Sequence, residues 1–355
     1  MKILFISGRE TSYPRNALLI KLLQSIAEVE VVPSSERTGN ILKRSLSIAF
    51  QLWLRKDLQT YDLIFVGFYG HLLMLLLPPK KLPPILFDAF VSTYDTLIED
   101  RQLAGSKSIL ARLSQWMDRA AAKRASHILL DTDANVRFYQ SLAQKSASNF
   151  SKVFASCDPD IFYPRPEVSE ETGLVLFYGT FLPLHGVNTI LEAAKYLMED
   201  EGIHFRLIGS GRNYKHAVAF INHHGLKNIE IRPPVALSAL PAEISKASIC
   251  LCGHFGSSAK AGRVIAAKTF QCLAMAKPVI VGENEANKEL LTHGIDSYFC
   301  RMNSAEALAD AIRQLMKDRE LRKTIAQNGV STYKSRADLS ILQLELKEKI
   351  NQLLY

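Results

Sequence analysis

Apolar residues along the chain recur in two alternating patterns, and the alternation predicts an architecture. Short runs rich in β-branched and aromatic residues lie at Lys2–Ser7, Glu30–Pro33, Asp62–Gly67, Pro84–Asp88, His127–Asp131 and Lys152–Ala155. Each is too short for a helix, and several lack polar alternation, as strands covered on both faces do. Between them, Ala17–Ala27, Ile41–Lys56, Ile109–Arg124 and Ala134–Leu142 fit helices. Strand and helix in alternation imply a mostly parallel sheet with helices on both sides, one Rossmann-like unit.

Around Asp158–Pro166 the pattern breaks into extended, proline-rich sequence. It restarts with strand-like runs at Leu174–Gly179, Ile203–Gly209, Ile229–Pro233, Ser248–Cys252, Pro278–Gly282 and Ser297–Cys300. Val187, Ile190, Leu191, Ala194, Leu197 and Met198 share one helix face, and Asn303 is placed to cap a helix running to Met316 with Glu306 in its first turn. A second Rossmann-like unit follows, with a boundary near residues 164–172. The last helix, roughly Ala337–Leu354, has no strand after it, so it caps one domain or crosses back to the other.

Composition narrows the class. The 355 residues suit two domains, and 48% hydrophobic with 22% charged residues is ordinary for a globular protein. No apolar stretch approaches the ~20 residues of a membrane span, and the N-terminus reads as a first strand rather than a signal peptide, so a cytoplasmic protein is expected. Five cysteines, Cys157, Cys250, Cys252, Cys272 and Cys300, read as reduced thiols, and Cys250 with Cys252 lacks the second pair that a zinc site needs. The net charge of +8 favours anionic partners. Cations do not alternate with aromatics on one element, so nucleic acid is not expected.

Four landmarks carry the chemistry: Phe177-Tyr-Gly-Thr-Phe-Leu-Pro-Leu-His-Gly186, Leu207-Ile-Gly-Ser-Gly211, the segment Phe255–Ile280, and Glu289-Leu-Leu-Thr-His-Gly294. In order and spacing this resembles the donor-binding half of glycosyltransferase family 4 enzymes of GT-B fold. The resemblance covers residues 150–335, and the N-terminal half matches mainly by architecture. It implies an α/β protein with two Rossmann-like domains facing a central cleft and a C-terminal helix crossing back to the N-terminal domain. The acceptor domain would be residues 1–165 with helix 336–355, the donor domain residues 166–335. The family implies a nucleotide-sugar donor, transfer with retention to a glycan or lipid-linked acceptor, and no metal ion or other cofactor.

Residue by residue, Gly179 and Gly186 bracket a strand-to-helix turn whose free N–H groups suit a diphosphate, although a plain turn has the same sequence. The family carries Arg after the first glycine and Lys before the second; Thr180 and His185 stand here instead. Lys260, Arg263 and Lys268 are three cations within nine residues. They read either as a solvated basic face or as fixed charges for the leaving diphosphate, a role that Lys268 and Arg263 would fill. Arg263 and Gln271 occupy the places of the family's two glutamates, where Gln271 can still accept one ribose hydroxyl. Gly209 and Gly211 belong to the second glycine turn, and Glu289 matches the glutamate that meets the sugar. Asp88 ends a strand where many family members place an acceptor-positioning His, and reads equally as a helix N-cap.

Two apolar and basic stretches, residues 41–56 with Trp53 and residues 71–81 ending in Lys80-Lys81, fit shallow attachment to the inner membrane face, or a buried helix with charged ends. The leading expectation is a glycosyltransferase of cell-envelope polysaccharide or glycolipid synthesis; the alternative is a catalytically degenerate partner of another transferase. A nicotinamide enzyme is disfavoured because Tyr214 replaces the third glycine of a dinucleotide loop.

Overall fold

The computed structural model describes residues 1–33 and 40–355. The chain folds into two compact units, Met1–Ala155 with Leu339–Tyr355, and Ser156–Asp338. The division falls after Ala155, ahead of the proline-rich segment where the pattern breaks. Ser156 and Cys157 are already tied into the second unit, through Ser156 Oγ to Ala337 O at 2.5 Å and Cys157 Sγ to the Tyr333 hydroxyl at 3.4 Å.

The first unit runs β1 (Lys2–Ser7), α1 (Pro14–Gln24), β2 (Glu28–Val31), α2 (Ile41–Leu54), β3 (Leu63–Gly67), α3 (His71–Leu76), β4 (Ile85–Asp88), α4 (Ile109–Arg124), β5 (His127–Leu130), α5 (Asp133–Ala143) and β6 (Phe150–Lys152). Its six strands are parallel in the order β2-β1-β3-β4-β5-β6. All of β3 and β4 is buried, which is why their sequences show no alternation. α1 starts earlier than its apolar period suggests, because Pro14 fits the first helical position. β2 is drawn back to Glu28 by its register with Lys2. β6 ends at Lys152 because the carbonyls of Val153 and Phe154 go to Arg15 instead of a ladder.

The second unit runs β7 (Leu174–Thr180), α6 (Val187–Tyr196), β8 (His204–Ser210), α7 (Tyr214–His224), β9 (Ile229–Arg232), α8 (Leu240–Lys246), β10 (Ile249–Leu251), α9 (Ala267–Ala274), β11 (Val279–Gly282), α10 (Glu285–Leu290), β12 (Tyr298–Cys300), α11 (Ala305–Lys317) and α12 (Arg319–Arg336). The parallel order is β12-β11-β10-β7-β8-β9. The terminal helix α13 (Leu339–Leu354) belongs to the first unit, against α1. Ser304, not Asn303, caps α11, its Oγ accepting from Ala307 N at 3.2 Å, while Asn303 takes a left-handed φ of 53°. α6 stops at Tyr196, which leaves Met198 exposed rather than on the core face.

Of the two stretches read as membrane-facing, residues 71–81 turn one side inward. His71, Leu73, Met74 and Leu77 are buried, and the three apolar ones join the core formed by β1, β3, β4 and β5. Helix α2 presents a solvent-facing apolar side, with Leu46, Phe50 and Trp53 exposed.

The strands β7 and β8 approach closely where both are glycine: a Cβ on Gly209 would lie 2.0 Å from the Gly179 carbonyl oxygen. Gly209→Ala is therefore expected to lower unfolding free energy by at least about 2 kcal/mol, measured by chemical denaturation; an unchanged midpoint would show that the strands separate without cost.

Candidate functional site

In an open parallel sheet, ligands bind outside the carboxyl ends of the strands where the order reverses. In the second unit that point lies between β7 and β10, since the strands following each run to opposite edges. Helices α6 and α9, which follow these strands, and α7, which follows β8, have no side-chain N-cap bond and no acidic residue in the first turn. By contrast α10, α11 and α12 are capped by Asn284, Ser304 and Asp318 and each carries a glutamate in its first turn. The helix ends around the reversal point thus keep free N–H groups and positive potential, the condition for an anion.

Lys268 sits in the first turn of α9, where its charge opposes the helix dipole. The residue is buried, and Nζ lies 3.8 Å from the Phe177 ring centroid and 5.9 Å from that of Tyr178. Nζ has no hydrogen-bond partner among the described residues. Gly179, with φ 138°, lies over it: a Cβ there would be 3.3 Å from Nζ. Burial pulls the Lys268 pKa down to about 8.

Beside it, His185 and His254 stack with ring centroids 5.3 Å apart and planes 5° apart. His185 Nδ1 bonds the Thr180 carbonyl, which can only accept, so Nδ1 carries the proton and the neutral ring keeps Nε2 as an acceptor. Burial, then Lys268 and His254, depress the His185 pKa. Burial, then Lys268 and Lys260, push His254 to about 3, and its Nδ1 has no partner among the described residues. At neutral pH the cluster is one ammonium beside two uncharged imidazoles.

The turn is held by close backbone approach. A Cβ on Gly186, φ 67°, would lie 2.4 Å from the Phe255 carbonyl carbon, and one on Gly256 would lie 2.3 Å from Pro183 O. Lys260 is buried in a short turn at Ala259–Gly262, and Arg263 follows half-buried. Asn284 fastens this turn to the start of α10 through Nδ2 to Ala261 O at 3.0 Å. Gln271, one turn further along α9 than Lys268, accepts at Oε1 from the Tyr178 hydroxyl at 2.7 Å. Glu289, half-buried in the last turn of α10, gives its backbone carbonyl to Arg336 at 2.6 Å.

A cavity of about 220 Å³ lies between Tyr178, Gly179 and Thr180 on one strand, Ile208 to Ser210 on the next, and Pro234, Val235 and Leu240. This is below the roughly 300–1,000 Å³ of a whole small-molecule site, so it holds part of a ligand. A larger cavity of about 350 Å³, lined by Gly173, Gly202, Arg313 and Arg322, opens at the amino ends of β7 and β8, away from Lys268. The structure therefore gathers Gly179, Thr180, His185 and Lys268 in one place and brings Gly209 to the adjoining cavity. Gly211, φ 137°, packs against Phe181 N, where a Cβ would come within 2.9 Å.

Asp88 is corrected. Its carboxylate is fully buried and takes two bonds from Arg15, Nε to Oδ2 at 3.2 Å and NH2 to Oδ1 at 2.9 Å, so it neither caps a helix nor faces solvent. Sequence reasoning missed His254 and Phe177. The strand-end position of His254, just after β10, was the available signal, but Cys-Gly-His-Phe reads as core.

Residues 162–332 match the model for glycosyl transferases group 1. The chain is 28% identical over 154 residues to an uncharacterized glycosyltransferase of Methanocaldococcus jannaschii, spanning 43% of this chain and 41% of that protein. It is 23% identical over 286 residues to the alpha-D-kanosaminyltransferase of Streptomyces kanamyceticus, spanning 77% and 71%. The fold matches Anabaena Alr3699/HepE, crystallised with UDP and glucose, at TM-score 0.72, 14% identity and 99% of both chains.

Two outcomes follow from the burial pattern. At pH 7 the Lys268 charge is held in a site that depresses its pKa from 10.5 to about 8, a cost on the order of 3 kcal/mol. Lys268→Met should raise unfolding free energy at pH 7, and the gain should shrink between pH 8 and 10.5, where the unfolded lysine stays protonated and the folded one does not; a loss of stability would show the ammonium to be structural. Asp88→Asn should cost about 3–5 kcal/mol by stranding Arg15 without changing any ligand affinity of the second unit, checked by denaturation and calorimetry. The chain has the GT-B fold, and within its second unit residues 162–332 match the glycosyl transferases group 1 family.

Proposed function

We propose that the protein transfers a sugar from a nucleotide-sugar donor held by the second unit. The observation that carries this reading is the Lys268 ammonium, buried and without a hydrogen-bond partner among the described residues, beneath the Gly179 turn. A desolvated cation beside uncapped helix ends is unfavourable in the empty protein and favourable once an anion arrives. The donor diphosphate would lie over Gly179 and the start of α9, with the nucleoside reaching the cavity between β7 and β8. Breaking the bond from the anomeric carbon leaves the electron pair on a phosphate oxygen, and Lys268 meets that charge with Lys260 and Arg263 nearby in sequence, in place of a metal ion. The dianion also raises the pKa of His185, so that Nε2 can take up a proton and donate to the phosphate.

Of the finer parts, retention of anomeric configuration and Glu289 at the sugar rest on the family resemblance; a glycan or lipid-linked acceptor and an envelope role belong to the same reading, and a cytoplasmic setting in contact with the inner membrane face rests on the N-terminal sequence and on the apolar and basic stretches of the first unit. UDP in the Anabaena structure supports a nucleotide-sugar donor. A second reading, a degenerate partner of another transferase, is favoured by one observation: Gln271 already receives the Tyr178 hydroxyl, so its amide oxygen is partly committed.

Calorimetric titration with a panel of nucleoside diphosphates is expected to show saturable binding. Lys268→Ala should weaken it at least about tenfold, and unchanged affinity would remove Lys268 from the site. Since the bound form needs the ammonium, wild-type affinity should weaken toward about tenfold per pH unit above 8. Turnover of a nucleotide-sugar, with the product anomer read by NMR, supports the transferase; binding without turnover against any donor supports the degenerate partner.

A further inference from the structure

Two stripes of large apolar side chains face solvent on one side of the first sheet. On α2, Leu42, Leu46, Phe50, Trp53 and Leu54 are 50–66% exposed. Most recur at the i, i+4, i+8, i+11 spacing of a single helix face, opposite Ile48 and Leu52 in the core. On α4, Ile109, Leu113 and Trp116 are 84%, 54% and 56% exposed at i, i+4, i+7. Helix α3 packs against both. Trp53 Nε1 donates to Leu76 O at 2.9 Å, and Arg124 donates to Leu75 O and Leu77 O from the α4 side. Leu72, Leu75 and Leu76 of α3, the helix that packs against both, are half-buried. A monomer rarely leaves so many large apolar side chains to water on neighbouring helices without a use for them.

The charge around the stripes selects the occupant. Lys43, Lys56, Lys80 and Lys81 are exposed beside α2, and Arg112, Arg119 and Lys123 on α4. Helix α2 contains no carboxylate, and the one on α4, Asp118, is buried and accepts from Ser92 Oγ and from the backbone N–H groups of Thr93 and Tyr94. Two copies meeting through this face would set cation against cation. An anionic lipid surface offers apolar depth for the stripes and negative charge for their rim.

We propose that the α2–α4 face docks the protein onto an anionic bilayer surface. The inference deepens the membrane part of the proposed function and rests on it, while donor binding belongs to the second unit and is measured separately.

The chain's two tryptophans, Trp53 and Trp116, both lie in the stripes, so intrinsic fluorescence reads docking directly. The full chain is mixed with vesicles of phosphatidylcholine alone or with phosphatidylglycerol added. A blue shift and co-sedimentation with the mixed vesicles only, reversed by salt, is the expected result. Phe50→Ser with Ile109→Ser, both at exposed positions, should reduce vesicle binding at least about tenfold and leave nucleotide affinity unchanged. Absence of vesicle binding, equal binding to pure phosphatidylcholine, or a dimer that the double variant dissociates would overturn the proposal. Loss of nucleotide binding with docking intact would instead count against the donor reading.

Discussion

The buried Lys268 ammonium, 3.8 Å from the Phe177 ring centroid and without a hydrogen-bond partner among the described residues, is the constraint around which the candidate site is built. Gly179 takes a φ of 138°, which side chains rarely adopt, and a Cβ there would lie 3.3 Å from Nζ. The same charge helps hold His185 and His254 neutral, and the stacked pair fills the space beside it. Each neighbour is compatible with a cation that has given up its water, and none neutralises it. A fold keeps such a group when the compensating charge comes from outside.

That the ammonium stands at the carboxyl end of β7 follows from the topology. Reversal of strand order between β7 and β10 leaves the helices after β7, β8 and β10 starting around one spot, and these are the helices without caps or leading carboxylates. Helices α10, α11 and α12 of the same unit are capped in the usual way. The difference separates parts of the sequence that only close a helix from parts that leave its dipole open to a ligand. In the first unit the corresponding polar groups are closed on themselves, with Asp88 and Arg15 paired inside.

Most strands were legible because both faces are covered and the runs are continuous; β1 and α4 fall at the residues the periodicity marks. The first turn of α1 was not, because buried Arg15 and Asn16 look polar and external while they serve the interior. For the same reason Asp88 read as an accessible carboxylate: an ion pair between residues 15 and 88 leaves no local mark. The inward side of residues 71–81 read as part of a membrane patch because an apolar helix has the same composition whether a sheet or a lipid surface covers it. The glycine turns and the cations of residues 260–268 were legible as a group. Which cation is desolvated depends on Phe177, a neighbour ninety-one positions away in the chain.

The most direct test of the account is a titration of the Lys268 side chain itself, by NMR of carbon-labelled lysine, in the presence and absence of a nucleoside diphosphate. The free protein should show a lysine titrating near pH 8, lost in Lys268→Met, and the nucleotide should move it upward by about one unit or more as the diphosphate takes the place of the missing partner. A Lys268 resonance whose titration is the same with and without the nucleotide would contradict the claim that this ammonium is held for the donor.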